Sequence, residues 1–90
     1  MMELEQLIDA LIKIADYLYQ ENIQVAYRLL YLVLPSLDQF ISQIEGNEKK
    51  DILKEKLLQA LEAMEKEDYI LLADILQYEV VEQLQNMREG

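Results

Sequence analysis

The side chains able to do acid–base chemistry in this chain are carboxylates and phenols: eighteen Asp and Glu and six Tyr, with no His and no Cys. Two carboxylates, Asp74 and Glu79, lie in a mostly apolar stretch, ADILQYEVV. Burial there would raise a carboxyl pKa toward the range where it works as a general acid or base. The competing reading places both charges at the edge of an apolar stripe, and the surrounding pattern favours it. Carboxylate-rich bundles also hold paired metals, but they draw on Glu-x-x-His pairs, which a chain without His does not have. No D-x-D-x-D-G calcium loop is present, and Gly46 and Gly90, the only glycines, build no phosphate loop. Without Cys there is neither disulfide nor thiolate chemistry. The residue types therefore point to no catalytic group, no cofactor and no metal.

Arg28 is the one basic residue between Lys13 and Lys49. Buried, it would need an acidic partner, with Asp16 and Asp74 as candidates. Otherwise its stem lies over apolar surface with the guanidinium in water. The tyrosines are Tyr17, Tyr19, Tyr27, Tyr31, Tyr69 and Tyr78. Tyr27 and Tyr31 are one helical turn apart and can stack on one face, and a large, polar-tipped ring suits an interface.

What must position these groups is helical. The apolar residues Leu4, Leu7, Ile8, Leu11, Ile12, Ile14, Ala15 and Leu18 recur at steps of three and four, which is a helix stripe. Gln20, Glu21 and Asn22 interrupt it, and Asn22 can cap the next helix. The second helix is predicted over about 23–45, with Ala26, Leu29, Val33, Leu37, Phe40 and Ile44 as its seam. Gly46 suits the position just past its end, and Asn47 the next N-cap. A third helix over about 48–66 turns Leu53, Leu57, Leu58, Leu61 and Met64 inward; a fourth, over about 69–88, is capped by Asp68 and turns Leu72, Leu76, Val80, Leu84 and Met87 inward. Pro35 removes a backbone donor inside helix two and clashes with the Tyr31 carbonyl, so a kink or a break is expected there.

The chain also repeats itself. At a shift of 46, Leu7, Leu11, Ile12, Ala15, Leu18 and Asn22 fall on Leu53, Leu57, Leu58, Leu61, Met64 and Asp68. With one extra residue near Tyr69 the shift becomes 47, and Ala26, Leu29, Tyr31, Val33, Leu37 and Phe40 fall on Ala73, Leu76, Tyr78, Val80, Leu84 and Met87. Tyr31 and Tyr78 thus occupy equivalent positions, where packing at the core edge is expected. The fold predicted is all-α: one domain spanning 1–90, an antiparallel four-helix bundle of two related hairpins, about 3–45 and about 48–88. Two such units are too few for an open solenoid.

One stretch departs from the simple amphipathic pattern. RLLYLVLPSLDQF contains six consecutive apolar residues, Leu29 to Leu34. Where the second copy has Asp74, Gln77 and Glu79, the first has Tyr27, Leu30 and Leu32. Helix two therefore carries a second seam of Ile23, Tyr27, Leu30, Leu34 and Ile41, and a helix apolar on two sides buries both. A bundle covers one of them; splaying of the helices, another subunit or a partner helix must cover the other.

Charge bounds the partners. The net charge is −10, the isoelectric point is near 4.2, and each half of the chain, 1–46 and 47–90, contributes −5. That argues against nucleic acid and anionic lipid and is compatible with a basic or amphipathic protein. An apolar run of six residues is far short of the ~18 that span a bilayer. The opening MMELEQLID is acidic where a signal peptide is basic, so a cytoplasmic location is expected.

Residues 60–84, ALEAMEKEDYILLADILQYEVVEQL, resemble the last hairpin of small helical flagellar export chaperones of the FliS or FliT kind. In these an A-L-E…D…A…L pattern ends a bundle whose hydrophobic groove holds a secreted subunit. The stretch is also similar to short acidic proteins of spore-forming bacteria. The likeness spans about a quarter of the chain, and MMELEQLID has no counterpart of the chaperones' N-terminal tyrosine motif, so no residue roles carry over. The expectation is a non-catalytic protein-interaction module that forms a homodimer through Ile23, Tyr27, Leu30, Tyr31, Leu34 and Ile41. The alternative is a chaperone-like binder of a partner's amphipathic helix.

Overall fold

The computed structural model describes residues 2–89, with side chains up to Met87. Four helices form an all-α bundle, and no strand occurs among the described residues. Helix α1 runs Leu4–Tyr19, α2 Ile23–Ser42 and α3 Asn47–Glu65. The fourth, α4, is one rod in three stretches: α-helical over Tyr69–Asp74, π-helical over Ile75–Val80 and α-helical again over Val81–Glu89. The bundle measures 36 × 23 × 20 Å, a length set by the ~30 Å of a 20-residue helix.

The heptad-like spacing seen in the sequence closes the core. Leu7, Leu11, Ile14 and Leu18 of α1 meet Leu72, Leu76, Val80 and Leu84 of the fourth helix and Leu30 and Leu37 of α2, all essentially without solvent contact. Each such Leu contributes roughly 1.5–3 kcal/mol by leaving water. Buried alanines on every helix (Ala15, Ala26, Ala60, Ala63 and Ala73) let the axes approach closely. Among the described residues no polar or charged residue is buried. Helix α1 lies between α2 and α4, and α3 packs on α4; α2 and α3 face each other with the sparsest contact of the neighbouring pairs.

The two hairpin turns are built alike. After α1 the Asn22 N–H bonds the Tyr17 carbonyl (2.8 Å) and the Glu21 N–H that of Leu18 (3.1 Å); after α3 the Asp68 N–H bonds Ala63 (2.9 Å) and the Glu67 N–H Met64 (3.1 Å). This is the Schellman pattern, with Glu21 and Glu67 in the left-handed region at φ 62° and 57°. The residue ending each motif also starts the next helix. Asp68 accepts from the Leu71 N–H at 3.3 Å, whereas the Asn22 side chain makes no cap bond.

Several expectations are corrected. Helix α2 is continuous from Ile23 to Ser42 across Pro35, so it is not broken there; it stops three residues short of the predicted Glu45. Gly46, at φ 103°, caps α3, and Asn47 is that helix's first residue. Leu58 is 65% exposed rather than inward, because the buried face of α3 is set by Leu53, Ala60 and Ala63. The extra residue expected near Tyr69 is absorbed further along. Asn22, Ala26 and Leu30 match Asp68, Leu72 and Leu76 at a spacing of 46, while Val33 and Leu37 match Val80 and Leu84 at 47. Between them lies the π-helical stretch, in which the Val81 N–H reaches back five residues to the Leu76 carbonyl. One π turn holds one residue more than an α turn.

Candidate functional site

The buried arc of α2 is Ala26, Leu30, Val33, Leu37 and Ile41. It takes members from both predicted seams, because the core faces the middle of a wide apolar surface rather than one edge of it. Leu30 and Ile41, expected at an interface, are therefore core residues at 1% and 2% exposure. Ile23, Tyr27 and Leu34 are half-buried against that core. Tyr31 and Tyr78 stand out into solvent, 62% and 60% exposed, instead of packing at the core edge. Of the six predicted interface residues, Ile23, Tyr27, Tyr31 and Leu34 keep surface that a partner can touch.

Of these, Tyr27 and Tyr31 line the weak α2–α3 seam. A groove of about 380 Å³ opens there between Tyr27 and Tyr31 on α2 and Leu61, Met64 and Glu65 on α3. Exposed Leu58 lies one turn before Leu61 on α3. The Tyr27 hydroxyl donates to the Met64 carbonyl at 3.3 Å, fixing the ring across the seam. Tyr27 does not stack on Tyr31. Its ring meets Tyr69 edge-on, with centroids 6.1 Å apart and planes at 64°, the favoured geometry for an aromatic pair. Burial, with the nearby Tyr69, Glu67 and Tyr31, holds the Tyr27 phenol above its ordinary pKa of 10.

Beyond that ring pair is the bundle end where the two turns come together. A second cavity of about 430 Å³ is walled there by Leu18, Ile23 and Tyr69, with Glu21, Glu67 and Asp68 exposed at its rim. Sequence reasoning missed this mouth. Its only trace in the sequence is the matched Glu-Asn and Glu-Asp pairs, 21–22 and 67–68, after the two apolar stripes.

A model of one protein family, a domain of unknown function (DUF8042), matches residues 3–90. The chain belongs to the DUF8042 family. Neither the curated proteins nor the solved structures give a match.

Both carboxylates singled out in the sequence of this DUF8042 chain, Asp74 and Glu79, have partners. The Tyr19 hydroxyl donates to Asp74 Oδ1 across α1 and α4. Burial, then that hydrogen bond and the charge of Asp74, hold the Tyr19 phenol far above its ordinary value. Glu79 pairs with Lys56 Nζ at 2.7 Å between α4 and α3, which raises the lysine pKa. Asp74 is thus bound to a phenol, not to Arg28, which is exposed on α2. Among the described residues no three Asp or Glu side chains converge on a metal-sized site, and no helix is long and apolar enough to cross a membrane.

Proposed function

We propose that this chain is a non-catalytic protein-binding module of the cytoplasm, whose α2–α3 groove takes the apolar face of a partner's amphipathic helix. One observation carries the reading. Helix α2 fills the core with its central arc and still presents Tyr27 and Tyr31 along a sparsely packed seam with α3, beside an open groove. A helix docks in such a groove through apolar residues at i, i+3, i+4 and i+7. The net charge of −10 favours a partner with a basic polar face. The resemblance of residues 60–84 to helical export chaperones supports the same mode, and the engagement of Asp74 by Tyr19 and of Glu79 by Lys56 supports a non-catalytic role.

Self-association is the second reading, favoured by Tyr31 and Leu32, 62% and 69% exposed on the same helix. Burial of Leu30 and Ile41 removes two of the six residues that a second copy would cover, and two copies of charge −10 repel.

Light scattering behind a sizing column separates the two readings. A monomer of 10.6 kDa that binds a Leu- and Lys-based amphipathic peptide supports the groove. Replacing Tyr31 with Ala then weakens binding at least about tenfold, the loss of a modest hot spot, and added salt weakens it further. A concentration-independent mass near twice 10.6 kDa, reverting to monomer in Tyr31→Ala, assigns the surface to a second copy. A monomer indifferent to the peptide overturns both.

A further inference from the structure

The groove is short for a helix. Its walls come from one turn of each flanking helix, Tyr27 and Tyr31 on α2 and Leu61, Met64 and Glu65 on α3, about 6 Å along either axis. The i to i+7 stripe of a docked helix spans about 10.5 Å. One wall has to give, and α3 is the less firmly held. Its buried side chains are Leu53, Ala60 and Ala63, so only one of them is large, whereas α1 buries five Leu and Ile side chains besides Ala15. Leu58 is exposed, and Leu61 is half-buried in the groove wall. Segments with few buried apolar side chains are the ones that open at low free energy, and binding elements are drawn from them.

The ties of α3 are also unequal. Toward α4 it packs on both the first α-helical and the π-helical stretch, and the Lys56–Glu79 ion pair at 2.7 Å reinforces that side. Toward α2, two hydrogen bonds cross the seam among the described residues. One runs from Lys50 Nζ to the Ser42 carbonyl at 3.4 Å, beside the Gly46 turn where the chain already joins the two helices. The other, from the Tyr27 hydroxyl to the Met64 carbonyl at 3.3 Å, stands at the far end. That carbonyl also takes the Glu67 N–H at 3.1 Å, so the phenol shares its acceptor with the hairpin turn.

We propose that α3 is a door hinged along α4, that the Tyr27 hydroxyl is its catch, and that the partner helix binds the open form. The proposal rests on the groove reading above and adds how that site is regulated. Opening the seam uncovers the next turn of α3, where Leu57 and Leu58 lie, and gives the partner's stripe the length it lacks. Because the open form alone takes the helix, the apparent affinity is the intrinsic affinity scaled by the open fraction. Removing the catch therefore tightens binding, the opposite of what losing a direct contact does.

Amide hydrogen exchange on the free chain tests the door. Amides of residues 55–64 in α3 are expected to be at least about tenfold less protected than those of residues 11–15 in α1. Ile14→Val, deep in α1, lowers the protection of α1 about fivefold and leaves that of α3 unchanged, because the open form keeps α1 packed. Tyr27→Phe keeps the ring against Tyr69 and loses the hydroxyl. It lowers the protection of α3 about fivefold, the weight of one ordinary hydrogen bond, and tightens binding of the Leu- and Lys-based peptide by up to the same factor. Protection of α3 equal to that of α1, or lowered along with it by Ile14→Val, overturns the door and leaves the groove standing. So does a Tyr27→Phe variant that binds the peptide no tighter than the wild type. If no peptide binds the wild type, the groove reading fails, and the proposal fails with it even where α3 opens.

Discussion

Glu21 and Glu67 hold the same left-handed backbone conformation, at φ 62° and 57°, at the same position of two Schellman turns 46 residues apart. An L-residue with a Cβ pays for that conformation about 1 kcal/mol relative to glycine, the residue usually found there. Replacing either glutamate by Gly is expected to raise stability by about 1 kcal/mol, measured as the urea midpoint at constant slope. Glu21→Ala and Glu67→Ala are the controls: they remove the same charge but keep the Cβ, and should give no such gain. A gain equal to glycine's in the alanine variants would mean that relief of charge repulsion, not the backbone, is responsible.

Leu30 and Tyr31 are chain neighbours with opposite fates, 1% and 62% exposed. Leu30→Ala should cost about 3 kcal/mol, a transfer loss plus a cavity in the middle of the core. Tyr31→Ala should change stability by less than about 0.5 kcal/mol, as surface substitutions do, and act on partner binding instead. Chemical denaturation of the two variants checks the assignment. If Leu30→Ala is as mild as Tyr31→Ala, then α2 is rotated from the orientation described above.

The fold was legible because apolar steps of three and four mark each stretch as a helix, and because Asn22, Gly46 and Asp68 interrupt the stripes at the turns. Which side of α2 faces inward was not legible. Its apolar surface is so wide that two seams fit it, and the core took the strip between them. Leu58 illustrates the same limit on α3. Periodicity placed it inward beside Leu57, but the small side chains of Ala60 and Ala63 let the helix pack on a face that excludes it. Alanine spacing was the signal to read, since close helix approach needs small residues. The Tyr19–Asp74 bond and the acidic mouth join residues 55 and 46 positions apart. Pairings of that kind depend on how hairpins dock, which stripe analysis within one helix does not reach.

The Tyr19–Asp74 bond gives the bundle an alkaline limit. The folded chain holds the Tyr19 proton more tightly than the unfolded chain, whose phenol titrates near 10. Below that pH both states keep the proton and stability is flat with respect to this group. As pH rises past 10 the unfolded state loses its proton first, and folding stability falls. Tyr27, shifted in the same direction, adds to the slope. Tyr19→Phe should cost about 1 kcal/mol at neutral pH through the lost hydrogen bond and flatten part of the alkaline decline. Urea midpoints collected across that range test it, and an alkaline slope identical in Tyr19→Phe would rule the phenol out as its source.

The π turn of the fourth helix makes the sharpest claim about how the two hairpins correspond. Burial matches α2 at a spacing of 46 up to Leu76 and at 47 from Val80 onward, so the extra residue lies among 77–79. Gln77 is the best candidate, because its Oε1 is buried without a hydrogen-bond partner, a state that costs about 1–3 kcal/mol. Deleting Gln77 should let the π turn relax to an α turn while Leu76, Val80 and Leu84 keep facing the core, so melting should stay near that of the wild type or rise. Deleting Leu32, an exposed residue in the regular part of α2, has no such slack. It turns Val33, Leu37 and Ile41 by about 100° away from the core and should abolish cooperative unfolding. Thermal melts followed by circular dichroism compare the two deletions directly. If both variants unfold alike, the π turn is a fixed part of the packing rather than a place where one residue is spare.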